Sequence, residues 1–477
     1  MCADVVMDAV RDSGCAALLG AIDAIHAVHC ASWAYDDMPA RLAQRLGIDA
    51  QFGETSILAG TSGQRMVSSA AERMLRGECE VALVVGAEAL ATKKRLVIAG
   101  DGPQWSHPSP FGAEPVLDLA EWTSPTEFTH GVLAATLTFA LLDSARRAAL
   151  GVDPEVYRRR AADLFAPFTE VAAHSPHAWL PVRRSAHEIA APTPTNRMVS
   201  SPYTKYMVAM MDVDMAASLI VTTHGKADEL GIPRDQRVYL RGWSFGRDST
   251  HLAERSDLHR SPAMRVVAAD ALQHAGISAD DVGVFDLYSC FPAAVHFALD
   301  ALGIDVADAR PFTVTGGLPY HGGPSSNYMT HSIAEMVQRL RESGGYGVVS
   351  GVGLHMTKHS WGVYGSEPGP VAPPDYGAVQ RRIDYDQSYA VLGQLDRHVD
   401  ATIAACSATY DRSANPVSAL VIADLGDRSR AYARTVDRET IRLLDSMEPV
   451  GLRIRLEPVT SGGHTFHVDE RLTARSA

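Results

Sequence analysis

Two stretches of this chain repeat one another, and the repeat limits the fold more than any other feature. The segment MDAVRDSGCAALLGAIDAIHAVHCASWAYDDMPARLAQRLGID, residues 7–49, reads helix, strand, loop, helix and closes on Leu-Gly-Ile-Asp. The segment VVAADALQHAGISADDVGVFDLYSCFPAAVHFALDALGID, residues 266–305, follows the same order to the same ending. Each copy then runs into a glycine-rich turn, AGTSG (59–63) or GGLPYHGG (316–323), followed by a helix with apolar residues at spacings of three and four and by a short apolar strand. Strands separated by helices lie parallel, because a parallel pair needs a crossover connection. The pattern therefore predicts a duplicated α/β unit with mainly parallel sheets covered by helices.

Between the copies, residues 91–213 are rich in Pro, His and aromatic residues. An insert of that length outside a core sheet is expected to form a lid or a substrate-shaping layer. DMAASLIVTT, from Asp214, reads as a strand rejoining the first half, which is thus expected over 1–90 and 214–235. The second half is expected over 236–370. After the Pro/Gly-rich linker SEPGPVAPPDYG, alternating stretches such as ATIAACSATY and VSALVIADL predict an additional β-rich domain over 371–477.

Composition removes several function classes. The formal net charge of −13 opposes general nucleic-acid binding, which needs a basic surface to neutralise phosphates. The clusters Lys93-Lys94-Arg95 and Arg158-Arg159-Arg160 read as solvated helix faces, with contact to the phosphates of a small ligand as the alternative. The six cysteines are scattered, with no C-x-x-C pair, so no metal site and no disulfide framework is expected, and a reducing cytoplasm fits. The opening MCADVVMDAVRDSG lacks a basic start followed by an apolar core, and no apolar run is long enough to span a bilayer. The expected location is cytoplasmic, without membrane insertion.

A duplicated α/β unit with an insert between its halves, a glycine-rich turn before a helix in each half, and a closing Gly351-Val352-Gly353 turn resembles the thiolase superfamily, over Met1 to Gly365. With the β-rich tail it resembles the thiolase-like proteins of type 1. The resemblance implies a five-layered α-β-α-β-α fold with a C-terminal domain of OB type, and the family's first strand, ahead of Asp4, is missing. It implies a ligand, CoA or an acyl-CoA thioester, with no cofactor. It also assigns positions. The nucleophilic cysteine falls at Gly60, the histidine of the second-half turn at Gly323, the water-ordering loop at Tyr288 and Ser289, and the second cysteine at Val349 or Ser350.

None of those positions carries the family's group, which decides against Cys-dependent thiolysis. His321 stands two residues ahead of the expected histidine. Thr61 and Ser62 read as helix caps rather than replacement nucleophiles, and Cys290 as a packed small hydrophobe. Backbone N–H groups around Thr61, Ser62, Gly63, Ser289, Gly316, Gly317, Gly351 and Gly353 are the expected thioester-binding groups. A thioester binder without the acyl-transfer chemistry is the first reading. One alternative is a retro-aldol lyase: Tyr288 and Tyr320 match tyrosines of the steroid side-chain aldolases, which work with an OB-domain partner protein, and His321 could pair with a tyrosine as base. The same tyrosines could equally fill an old acyl tunnel. A divergent acyltransferase is the other alternative. Monomer and homodimer are both compatible with the sequence.

Overall fold

The computed structural model describes residues 1–112, 122–384, 389–459 and 462–468. Two sheets of four strands each form its centre. The first runs Phe52–Thr55, Ala24–Ala27, Val81–Ala89, Asp214–Thr222, and the second Tyr239–Arg247, Lys358–Gly365, Tyr346–Gly353, Val282–Asp286. Val81–Val85 is buried throughout, as an apolar run covered on both faces must be. Helices Ser62–Leu75 and Tyr328–Ser343 pack against each other between the sheets. They meet closely at Gly63, where a side chain would come 2.6 Å from the Thr330 backbone nitrogen.

The sheets are less parallel than the element order predicts. Asp214–Thr222 is antiparallel to Val81–Ala89, and Lys358–Gly365 is antiparallel to both of its neighbours. In the second half, the run after Pro311 lies beside Val282–Asp286, with the Phe285 and Leu287 N–H groups donating to the Pro311 and Phe312 carbonyls. It forms no ladder, because the Asp286 carboxylate captures the Val314 N–H at 2.9 Å and the Thr313 hydroxyl at 2.8 Å.

The first element is the helix Cys2–Asp12, so among the described residues no strand precedes it. In the insert, helices Ala135–Ala149 and Pro154–His174 carry a buried polar knot. Asp143 accepts from the Tyr157 hydroxyl and from the Tyr203 hydroxyl, the latter at 2.9 Å. Burial opposes the Asp143 charge, yet the His296 ring, the Tyr157 hydroxyl and the Arg146 charge hold its carboxyl below the usual range.

The tail forms a sheet built on Val399–Tyr410, Pro416–Gly426 and Ser429–Thr435, extended by Arg453–Pro458 and His464–Val468. The insert contributes to it: Met198–Ser200 joins through Ser200 opposite Thr409. One face of this sheet shares the main core through Leu420, Ile422 and Tyr432, while the other closes over Ile441 and Leu444. Arg147, only 4% exposed, ties the two regions by a paired contact to Glu448 at 2.7 and 3.0 Å. Replacing Arg147 by alanine is expected to cost about 2 kcal/mol, the scale of charged hydrogen bonds held in one fixed fork. Urea unfolding of wild type and R147A measures it, and equal midpoints would show that the fork contributes nothing.

Candidate functional site

The first-half turn delivers Gly60, Thr61 and Ser62 to the start of helix Ser62–Leu75, and the space beside Gly60 is already filled. A Cβ on Gly60 would lie 2.7 Å from Tyr288 Cζ and closer still to the Tyr288 hydroxyl and the Val352 carbonyl. Real Cβ atoms keep at least 3.0 Å, so residue 60 can carry no side chain unless its surroundings shift. Burial pushes the Tyr288 phenol far above its ordinary range, and it stays protonated.

Thr61 and Ser62 do not cap the helix as expected. Thr61 is the N-cap residue, but its backbone is helical (φ −88°, ψ −8°) and its side chain makes no capping bond. Capping requires an extended N-cap backbone. Ser62 instead donates to the Ile57 carbonyl at 2.8 Å and tightens the turn before it.

The second-half glycines are cradled just as closely. Gly316 (φ +97°) faces Ala172, with its Cβ position 2.6 Å from the Ala172 Cβ, and Gly317 (φ +79°) faces the Ser289 hydroxyl at the same distance. Gly351 has Met329 and Ser360 against its open side, and Gly353 has Lys358 and Ala59. Ser289 accepts the Leu318 N–H at 3.2 Å, and the Ser350 hydroxyl accepts the Tyr288 N–H at 3.0 Å. The slots that glycine opens are thus occupied by the protein's own atoms.

Loop segments of the insert pin this turn. Trp179 and Leu180 donate to the carbonyls of His321 and Tyr320 at 2.8 and 2.9 Å, and Gly323 donates to Met210 at 2.8 Å. Gly323, the position assigned to the family's histidine, faces Met210 and Ala209 of the insert. Trp179 packs over Gly322, and Trp179 and Met211 are 41% and 53% exposed.

The three candidate catalytic side chains do not form one constellation. The Tyr320 hydroxyl is taken by the Tyr206 carbonyl at 2.9 Å, and its ring packs edge-on against Phe165. Tyr328 packs edge-on against both Tyr288 (5.4 Å between ring centres) and His321 (6.2 Å) and stands between them. His321 is fully buried with no hydrogen bond of normal geometry on either ring nitrogen. Burial depresses its pKa to about 4, helped by His177 and weakly opposed by the Thr315 carbonyl. Its neighbour His331, 5.4 Å away between ring centres, is held neutral by burial as well.

Tyr328, His331 and Asp286 escaped the sequence reading. Tyr328 shares a 2.6 Å hydrogen bond with Thr315 and donates to Asp286 at 3.2 Å, fixing the glycine turn to the helix start. The available signal was spacing: Tyr328, His331 and Glu335 fall at three- and four-residue steps on one face of a helix. Among the described residues, no group of three or more His, Cys, Asp or Glu side chains is placed to hold a metal ion. No described helix is long and apolar enough to cross a membrane.

The comparisons agree with this architecture. No family model matches the chain. A crystal structure of a monomeric SCP2-thiolase like protein type 1 from Mycobacterium smegmatis is 30% identical, with a TM-score of 0.85, over 98% of this chain and 95% of that one. Human mitochondrial 3-ketoacyl-CoA thiolase shares the fold alone, at 14% identity and a TM-score of 0.53 over 77% of this chain and 92% of that one. A 3-ketoacyl-CoA thiolase of Salmonella newport (strain SL254) is 30% identical over 153 residues, 29% of this chain and 33% of that enzyme, so the match spans a third of the curated relative's length. The chain belongs to the thiolase superfamily, with the SCP2-thiolase-like proteins of type 1.

Proposed function

We propose that this protein binds CoA or acyl-CoA thioesters and does not run the cysteine-dependent acyl transfer of thiolases. The observation that carries the reading is the seat at Gly60, filled by the Tyr288 hydroxyl, where neither a nucleophile nor an acyl group fits. A covalent route needs a side chain that can be acylated and a base beside it. The thioester would rest against the exposed Trp179 beside Gly322, outside the sealed turn, with no cofactor. Six free cysteines suit a cytoplasmic setting.

The test is product analysis by mass spectrometry after mixing the protein with acetoacetyl-CoA plus CoA and, separately, with a bulky β-hydroxyacyl-CoA. The expected result is no conversion of either, with a melting temperature raised by the same ligands. W179A is expected to weaken binding about tenfold, the scale of one lost aromatic contact. Acetyl-CoA from the first mixture would overturn the reading. Cleavage of the second alone would make the protein a lyase, and no stabilisation by any CoA ester would remove the thioester from its function.

A further inference from the structure

Helix Pro154–His174 stops at Ser175 because Pro176 disfavours a helical backbone in the residue before it, and Ser175 is extended (φ −81°, ψ 124°). The chain then runs through residues 176–183 and comes back to the same helix. The Arg184 N–H donates to the Thr169 hydroxyl at 3.0 Å, and that hydroxyl donates to the Arg184 carbonyl at 3.2 Å. Arg183 donates to His174 Nε2 at 3.0 Å and pairs with Glu170. Residues 176–183 therefore form a loop whose neck is closed and whose tip can move as a unit.

None of these eight residues is buried. Two hydrogen bonds hold the tip on the glycine turn, from the Trp179 and Leu180 N–H groups to the carbonyls of His321 and Tyr320. A segment with so little buried surface and so few bonds opens more readily than the whole molecule unfolds.

The ring under the tip is His321, fully buried and without a partner on either nitrogen. A neutral ring tolerates that place, but an imidazolium carries two N–H donors and needs two acceptors. The closed site supplies neither, whereas water supplies both once the loop lifts. The groups around the ring act mainly in one direction. His177 on the loop and His331 on helix Tyr328–Ser343 repel an added positive charge. Tyr328 stays protonated, and the Tyr320 hydroxyl is committed to the Tyr206 carbonyl. Glu335, on the same helix as His331, opposes the others when ionised. Behind Gly322, Asp212 is paired with Lys94, and Asp214 with Thr92 and Arg95.

We propose that residues 176–183 are a lid, hinged at Ser175 and Arg184, that protonation of His321 releases from the glycine turn. The neck bonds persist, the two tip bonds break, and His321 and Gly322 meet water. The lid does not depend on the thioester reading, since it needs only the loop and the ring beneath it. Burial holds the covered ring at about 4, against about 6.5 for a histidine in water. The closed form is thus favoured above about pH 6.5 and loses ground as pH falls toward 4. From pH 7.5 to 5 the open population is expected to rise about thirtyfold, tenfold per unit over the 1.5 units below the free value.

Amide hydrogen exchange of the full chain at the two pH values, corrected for the intrinsic rate at each, tests the lid. Trp179 and Leu180 are expected to exchange faster than Val84, in the buried strand Val81–Ala89, at both pH values, with protection falling about thirtyfold at pH 5. H321F and H321N each remove the titration from a ring that makes no hydrogen bond, and each is expected to keep the protection seen at pH 7.5 and to abolish the fall. Wild-type protection that does not change with pH overturns the proposal, and so does a fall of the same size in both variants. Exchange of Trp179 and Leu180 only as fast as that of Val84 overturns it too, because the loop would then open only with the whole molecule.

Discussion

Installing the missing nucleophile, Gly60→Cys, is expected to destabilise the protein by about 3 kcal/mol without creating thiolase activity, because overpacking a closed site costs energy on that scale. The new Cβ would meet the Tyr288 ring carbon at 2.7 Å and, closer still, the Val352 carbonyl. One obstacle is a side chain and the other is backbone. Y288A in the same chain is therefore expected to return only part of the loss, since the carbonyl belongs to the strand Tyr346–Gly353 and cannot turn away. Chemical unfolding of wild type, G60C and the double variant measures this, and acetyl-CoA production from acetoacetyl-CoA reads activity. A G60C protein as stable as wild type would show that the seat is open.

Lowering the pH from 7.5 to 5 is expected to remove about 2 kcal/mol of stability for each deeply buried neutral histidine, from 1.5 pH units below an unfolded pKa of about 6.5 at about 1.4 kcal/mol per unit. His321 and His355 have folded pKa values depressed to about 4 by burial, and His331 lies well below its ordinary value. Their unfolded forms take up protons first. Stability is thus full above about pH 6.5 and falls as pH drops toward the folded values. His29 and His130 are shifted the same way. Glu88 and Glu335 oppose the trend, because burial raises their folded pKa values and the native state then binds protons sooner. Carboxylates with lowered values, such as Asp143 and Asp248, lose their stabilising share only below about pH 4. Urea unfolding at the two pH values tests the sum. The variant H321F/H331L is expected to flatten the dependence by about 4 kcal/mol, and an unchanged dependence would exclude both rings as its source.

Much of the fold was legible because duplication and periodicity are local properties. Residues 59–90 read as turn, helix and buried strand, and they form Ser62–Leu75 and Val81–Ala89. The Asp214 strand was legible from its apolar alternation, and the structure seats it antiparallel beside Val81–Ala89. The caps were misread because Thr61 has the right side chain on a backbone that is already helical. The stretch after Pro311 lies beside Val282–Asp286 without joining it as a strand, because Asp286, distant in sequence, claims its donors.

The site was legible as a set of positions and not as a shape. Sequence order alone places glycine at residue 60 and tyrosine at 288, but nothing near either residue reports that the Tyr288 hydroxyl lies in the space a residue 60 side chain would need. The separation of Tyr288 from His321 by Tyr328, and the capture of the Tyr320 hydroxyl by Tyr206, are equally invisible in the chain order.

By itself the sequence determined the elements, their duplication and the residue types at each turn, because hydrophobic period and turn chemistry act between near neighbours. Only the tertiary structure decided that Met198–Ser200 joins the tail's sheet, that Asp214–Thr222 runs antiparallel to Val81–Ala89, and that the seat beside Gly60 is filled. Those are contacts between distant segments, set by how the layers pack and by which backbone donors and acceptors find partners.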